Sequence, residues 1–187
     1  MNRMDVRRIT ATAVLMVLLM VTTGARAIGG LQVKDDLFAG ADKFSQGAKS
    51  STEVNLDSRM LGMASKFTGD DKESGDLIKK LQFVIVRSYE YEKPGQYNMA
   101  DIEEFRKRLE AGGWSHIVKE RSATENTDVC VKLGENGEFS ELVVIAAEPQ
   151  ELTFVHLKGH MSLDELTKAG AKYGVPQDAV KKEGKSK

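Results

Sequence analysis

A chain of 187 residues with a net charge of −1 has room for one domain with a full hydrophobic core. Its charge balance offers no electrostatic footprint for nucleic acid. A single cysteine, Cys130, excludes an internal disulfide framework and any paired-cysteine metal motif.

The elements begin with residues 1–27, which read as a secretory signal. Arg3, Arg7 and Arg8 form a basic start, residues 10–23 form an apolar run, and Ala25 and Ala27 frame a cleavage site. The run is shorter than the ~20 residues that span a bilayer, so an uncleaved anchor is the weaker alternative. No cysteine lies near the cleavage point, which leaves no lipid anchor. Cleavage after Ala27 removes four arginines and Asp5 and moves the net charge from −1 to −4. The expected product is periplasmic or secreted, without an integral membrane anchor. Residues 28–35 read as a flexible start, 36–173 as one domain and 174–187 as a polar flexible tail.

Leu37, Ala41 and Phe44 recur at helical spacing, which predicts a short amphipathic helix. "STEVNL" reads as a strand, and Asp57 then caps a helix whose buried face is Met60, Met63, Ala64 and Phe67. "DLIKKL" adds a further turn or two of helix. "QFVIVRSYEYEK" is β-branched and aromatic and ends at Pro94-Gly95, the pattern of a strand. Asn98 caps the next helix, with Met99, Ile102, Phe105 and Leu109 as its buried stripe and Gly112-Gly113 as its stop. "WSHIVKERS", "TDVCVKLG", "FSELVVIAA" and "ELTFVHLKG" then read as four strands. Asn136-Gly137 and Pro149-Gln150 connect them tightly, so neighbours must run antiparallel. The whole predicts an α+β, two-layer domain: a mostly antiparallel sheet of four to six strands, with helices packed mainly on one face.

Four segments carry a resemblance to a known family. They are "EVNLDSRMLGMASKF", "LIKKLQFVIVRSYEYEK", the "WSHIVKERS" to "FSELVVIAA" meander, and "LTFVHLKGHMSLDELTKAG". In their order and spacing they resemble the domain-of-unknown-function 4252 family of exported bacterial proteins, many of them lipoproteins. The resemblance implies an extracytoplasmic α+β domain. It brings no activity, substrate or catalytic residue. The chain departs from the lipoprotein members in lacking the N-terminal cysteine.

Each cluster of reactive residue types has a structural reading beside the chemical one. His156 and His160 would share one face of a helix and could grip zinc, with His116 as a third ligand. In a strand they stand roughly 13 Å apart, too far for one ion unless Gly159 bends the chain. "SLDE" from Ser162 to Glu165 is a capping box, so Asp164 and Glu165 make a poor acid–base pair. Cys130 sits mid-strand between valines, as a packed residue rather than an activated thiol. Tyr89, Tyr91 and Tyr97, with His116 and Trp114, could form an aromatic surface for a small ligand or glycan; the alternative is that the rings edge the core. No phosphate loop, nucleophile elbow or H-E-x-x-H motif occurs. No cofactor is implied.

The reading favoured by these features is a non-enzymatic exported domain of the bacterial envelope that binds a partner protein or the surface nearby. A ligand- or glycan-binding module centred on Tyr89, Tyr91, Tyr97 and His116 is the second reading. A hydrolase with an unrecognised site at His156 and His160 is the third.

Overall fold

A computed structural model of the chain describes residues 37–67, 72–134, 138–162 and 165. The signal segment, the Asn136-Gly137 turn, Asp164 and the C-terminal tail lie outside them. Leu31–His160 form one compact unit. The described residues Met161, Ser162 and Glu165 belong to a second.

Six strands form one open sheet: β1 (Ser50–Asp57), β2 (Leu81–Glu90), β3 (Ser115–Arg121), β4 (Asn126–Leu133), β5 (Phe139–Ala147) and β6 (Glu151–Met161). The order across it is β1-β2-β6-β5-β4-β3, so the last strand enters the middle. Three α-helices, α1 (Ser58–Ala64), α2 (Lys72–Lys80) and α3 (Met99–Ala111), and two 3-10 turns, Ala41–Ser45 and Ser65–Phe67, complete the described elements. This is the α+β architecture that the alternating strands predict, with a largely antiparallel sheet and helices mainly on one face.

The turns act as their residues dictate. The Glu148 and Glu151 backbones pair across Pro149-Gln150, with the Glu148 amide donating at 2.8 Å. At the far end of the β4–β5 ladder Leu133 faces Phe139, after a register shift between Lys132 and Leu133. Asp57 and Asn98 cap α1 and α3, their side chains accepting from the amides of Met60 (2.8 Å) and Ala100 (3.0 Å). Gly113 takes the left-handed conformation, φ 70°, that turns the chain from α3 into β3.

The main core lies on one sheet face. Tyr89 (β2), Leu152 and Phe154 (β6), Val143 and Ile145 (β5) and Cys130 (β4) occupy alternate positions and point to the same side. Ile102, Phe105 and Leu109 of α3 pack onto them, almost wholly buried.

Four details differ from the sequence pattern. The first helix is a 3-10 turn, Ala41–Ser45, preceded by Gly40 at φ 88°. Its buried residues are Ala41 and Phe44, spaced by three, as a three-residue turn requires, and Phe38 ahead of it is buried as well. Leu37, expected inside, is only half-buried. On α3 the stripe begins one turn late, because Met99 at the open N-terminal end is exposed. Third, α1 buries Leu61, while Met60, Met63 and Phe67, the expected inner face, point to solvent. Fourth, β6 continues as strand through Gly159, where its register with β2 shifts between Leu81 and Phe83. A Cβ at Gly159 would stand 2.6 Å from the Lys80 carbonyl oxygen, so glycine permits the close approach of the α2–β2 junction.

Candidate functional site

Alternation along the strands brings polar side chains onto the core face at Arg87 of β2, which pairs with Glu53 at 3.0 Å, and at two further places. On β4 the positions sharing a face with Cys130 include Asp128. Its carboxylate is fully buried and bound from both sides. Arg106 Nε on α3 donates to Oδ2 at 2.7 Å, and Arg121 Nη2 on β3 donates to Oδ1 at 2.6 Å. Arg106 also pairs with Glu103 one turn earlier on its own helix. Burial opposes the Arg106 charge, but the hydrogen bonds to Asp128 and Glu103 outweigh it and raise its pKa.

His116 and Cys130 adjoin this pair. His116 Nδ1 lies 3.3 Å from Cys130 Sγ and 3.7 Å from Asp128 Oδ1. A cysteine, a histidine and an aspartate therefore meet, yet not as a nucleophilic relay. A relay needs thiol and carboxylate on opposite ring nitrogens, and here both approach Nδ1. Burial first, and the Asp128 charge second, push the thiol up to about 11, so it stays protonated at neutral pH.

The second of the further places lies across β5 and β6. His156, 2% exposed, stands with Nε2 2.9 Å from Glu141 Oε2. Lys158 Nζ approaches the other Glu141 oxygen at 3.4 Å. Phe83 and Trp114 meet the imidazole edge-on, with ring centroids at 4.8 and 5.6 Å. Lys132 covers the Trp114 ring at 4.6 Å. Burial would raise the Glu141 pKa; the hydrogen bond from His156 and the charges of Lys132 and Lys158 prevail and lower it. His160 is exposed, four strand residues beyond His156, so the two histidines share no ion. Among the described residues no three histidine, cysteine, aspartate or glutamate side chains converge as a metal ligand set.

The tyrosines fall on the core edge. Tyr89 and Tyr91 are each 3% exposed. The Tyr91 hydroxyl donates to the Phe44 carbonyl at 2.7 Å, and the Tyr97 hydroxyl donates to the Glu148 carbonyl. Tyr91 and Tyr97 stack with centroids 5.0 Å apart, while Phe44 covers Tyr89. Burial pushes all three phenols up to about 12. Tyr89 and Tyr91 thus present no open platform to a glycan, and the rings staple the 3-10 turn and the β5–β6 turn to β2. His116, the fourth residue considered with them, instead belongs to the Asp128 cluster. Ser162 and Glu165 form the reciprocal capping pair: the Glu165 amide donates to Ser162 Oγ at 3.2 Å and the Ser162 amide to Glu165 Oε2 at 3.0 Å.

Two buried pairings, the Arg106–Asp128 ion pair and the Glu141–His156 hydrogen bond, are absent from the sequence-based candidates. A signal for the first was present. Asp128 lies two residues from Cys130 on a strand whose alternation puts Cys130 inside, and Arg106 follows Phe105 on the helix. Charged residues at core positions demand partners. Nothing in sequence spacing joins Glu141 to His156, which meet only through strand pairing.

A family model described as a domain of unknown function, DUF4252, matches residues 44–169. No curated protein and no solved structure matches the chain.

Proposed function

Because the chain belongs to DUF4252, a family whose description carries no activity, we propose its function from the chain's own geometry: an exported, non-enzymatic domain of the bacterial envelope that binds a partner protein along a sheet edge. The proposal includes the signal segment at residues 1–27, with cleavage after Ala27 and release to the periplasm or medium. Among the described residues no helix is long and apolar enough to cross a membrane.

The observation that carries the reading is the open sheet. β1 and β3 are its terminal strands, and each pairs with one neighbour. β3 has the features of a guarded edge: a register shift between His116 and Val118, then Lys119, Glu120 and Arg121 in succession. β1 lacks that guard. It runs in unbroken register with β2, from Ser50 opposite Glu90 to Asp57 opposite Phe83. A regular edge of eight residues suits strand addition by a partner. The buried clusters support the non-enzymatic part, since Asp128, Glu141 and His156 are engaged in buried contacts and the Cys130 thiol is held protonated.

Site-specific photocrosslinking in the producing cell tests this. A photoreactive residue at Ser51 on β1 should give one discrete protein adduct. The same residue at exposed Lys107 on α3 should give none. Equal labelling from both positions, or none from Ser51, would overturn the proposal.

A further inference from the structure

Helix α1 and the 3-10 turn that extends it, Ser65–Phe67, carry their apolar residues on the wrong side for packing. Leu61 and Ser65 face the domain at 3% and 8% exposure. Met60, Met63 and Phe67 are 36%, 53% and 87% exposed. Met60 and Met63 lie about 60° apart on α1. Phe67 follows within the 3-10 turn, where each residue advances about 120°. Their exposure sets all three on the side away from the buried Leu61. Large apolar side chains that expose this much together mark a contact surface rather than scattered surface residues.

Two features of the ridge indicate what it meets. The first is shape. A phenylalanine exposed to 87% protrudes and lines no groove. It needs a medium that yields around it, which the interfacial region of a bilayer does for any convex apolar ridge. The second is charge. Ser58–Phe67 contains Arg59 and Lys66 and no acid. By these angles both cations fall on one flank of the ridge, beside Met63. Arg59 lies 3.6 Å from the capping Asp57 and still keeps 75% of its side chain exposed. The next acids in sequence are Asp70 and Asp71, after the ridge ends. Flexible methionines, one aromatic ring and flanking cations suit shallow insertion among anionic headgroups.

We propose that the Met60–Met63–Phe67 ridge, with Arg59 and Lys66, is a peripheral docking surface for an anionic lipid bilayer. It would hold the domain against a membrane face with no span and no lipid modification. It goes beyond the partner-protein reading and uses a different surface from the β1 edge.

Methionine methyl NMR on the full chain tests the idea, because it reports where the domain touches lipid whatever residues 1–27 do. The probe is a phosphatidylglycerol nanodisc holding a nitroxide-labelled lipid. The Met60 and Met63 methyls should broaden severalfold more than that of Met99, which at 37% exposure matches Met60 but sits on α3. Phe67→Ser should abolish the difference while leaving the other methyl shifts in place. Broadening no greater at Met60 and Met63 than at Met99 would overturn the proposal. So would equal broadening with phosphatidylcholine discs, or loss of the ridge signals with rising protein concentration in lipid-free solution, which would assign the ridge to a second copy. Each outcome is independent of crosslinking at Ser51, so either proposal can fail alone.

Discussion

Helices α1 and α3 start alike and end differently. Each follows an extended residue whose side chain accepts from the first turn, Asp57 for α1 and Asn98 for α3. Each carries apolar residues at helical spacing. Yet α3 buries Ile102, Phe105 and Leu109 almost completely, while α1 buries Leu61 and displays Met60, Met63 and Phe67. Capping is a contact within one turn, so the local sequence determines it. Burial of a stripe needs an opposing surface, and only the sheet's core face under α3 supplies one for the whole stripe.

Substitutions on the two stripes should separate these effects most strongly. Phe105→Ala removes a ring packed against Phe154, Phe38 and Phe44 and should cost about 3–5 kcal/mol in urea unfolding. Phe67→Ser on the α1 ridge should stay within about 0.5 kcal/mol of the parent protein. Equal losses would mean that the α1 ridge is packed in solution. Next in size, Arg106→Met leaves the buried Asp128 with Arg121 alone and should destabilise the fold by about 3 kcal/mol. Replacing Asp128 together with Arg106 by apolar residues should recover part of that loss.

The caps should show where the two helices agree. Asp57→Ala and Asn98→Ala should each cost about 1 kcal/mol, because each removes one acceptor from a first turn. A cost confined to Asn98 would mean that a cap's worth depends on how well the rest of its helix is packed. The smallest effect concerns pH. The folded Glu141 carboxyl titrates below its ordinary value of 4.5. Its stabilisation is therefore complete above that value and is lost as pH falls through the lowered folded pKa. Thermal melts from pH 6 down to pH 3 should fall more gently for Glu141→Gln than for the parent chain. A parallel decline would show that Glu141 does not set the acid limb.

Much of the fold was legible from residues close in sequence. "QFVIVRSYEYEK" and "FSELVVIAA" marked β2 and β5, and Asp57 and Asn98 marked two helix starts. These are decisions of propensity, hydrogen bonding and turn geometry over a few residues. The Met60, Met63 and Phe67 stripe was misread because periodicity finds an apolar face but not what lies opposite it. A bend at Gly159 was left open because glycine also permits close approach, and the approaching Lys80 backbone is 79 residues away in sequence. Of the site candidates, Cys130 read correctly as a packed residue, since its strand alternates cleanly. Tyr89 and Tyr91 continued the stripe of Phe83 and Ile85, and that continuity carried them into the core.

By itself the sequence determined the α+β class, the antiparallel neighbours and the caps, because each follows from chemistry within about one hairpin or helical turn. Only the tertiary structure decided the order β1-β2-β6-β5-β4-β3, which inserts the last strand between β2 and β5. That insertion completes the core face beneath α3 and sets His156 against Glu141. Pairing of β4 with β3, and packing of α3 above them, gives Asp128 its two arginines. Buried charges are tolerated only where such partners arrive, and the partners come from strands and helices far apart in the chain.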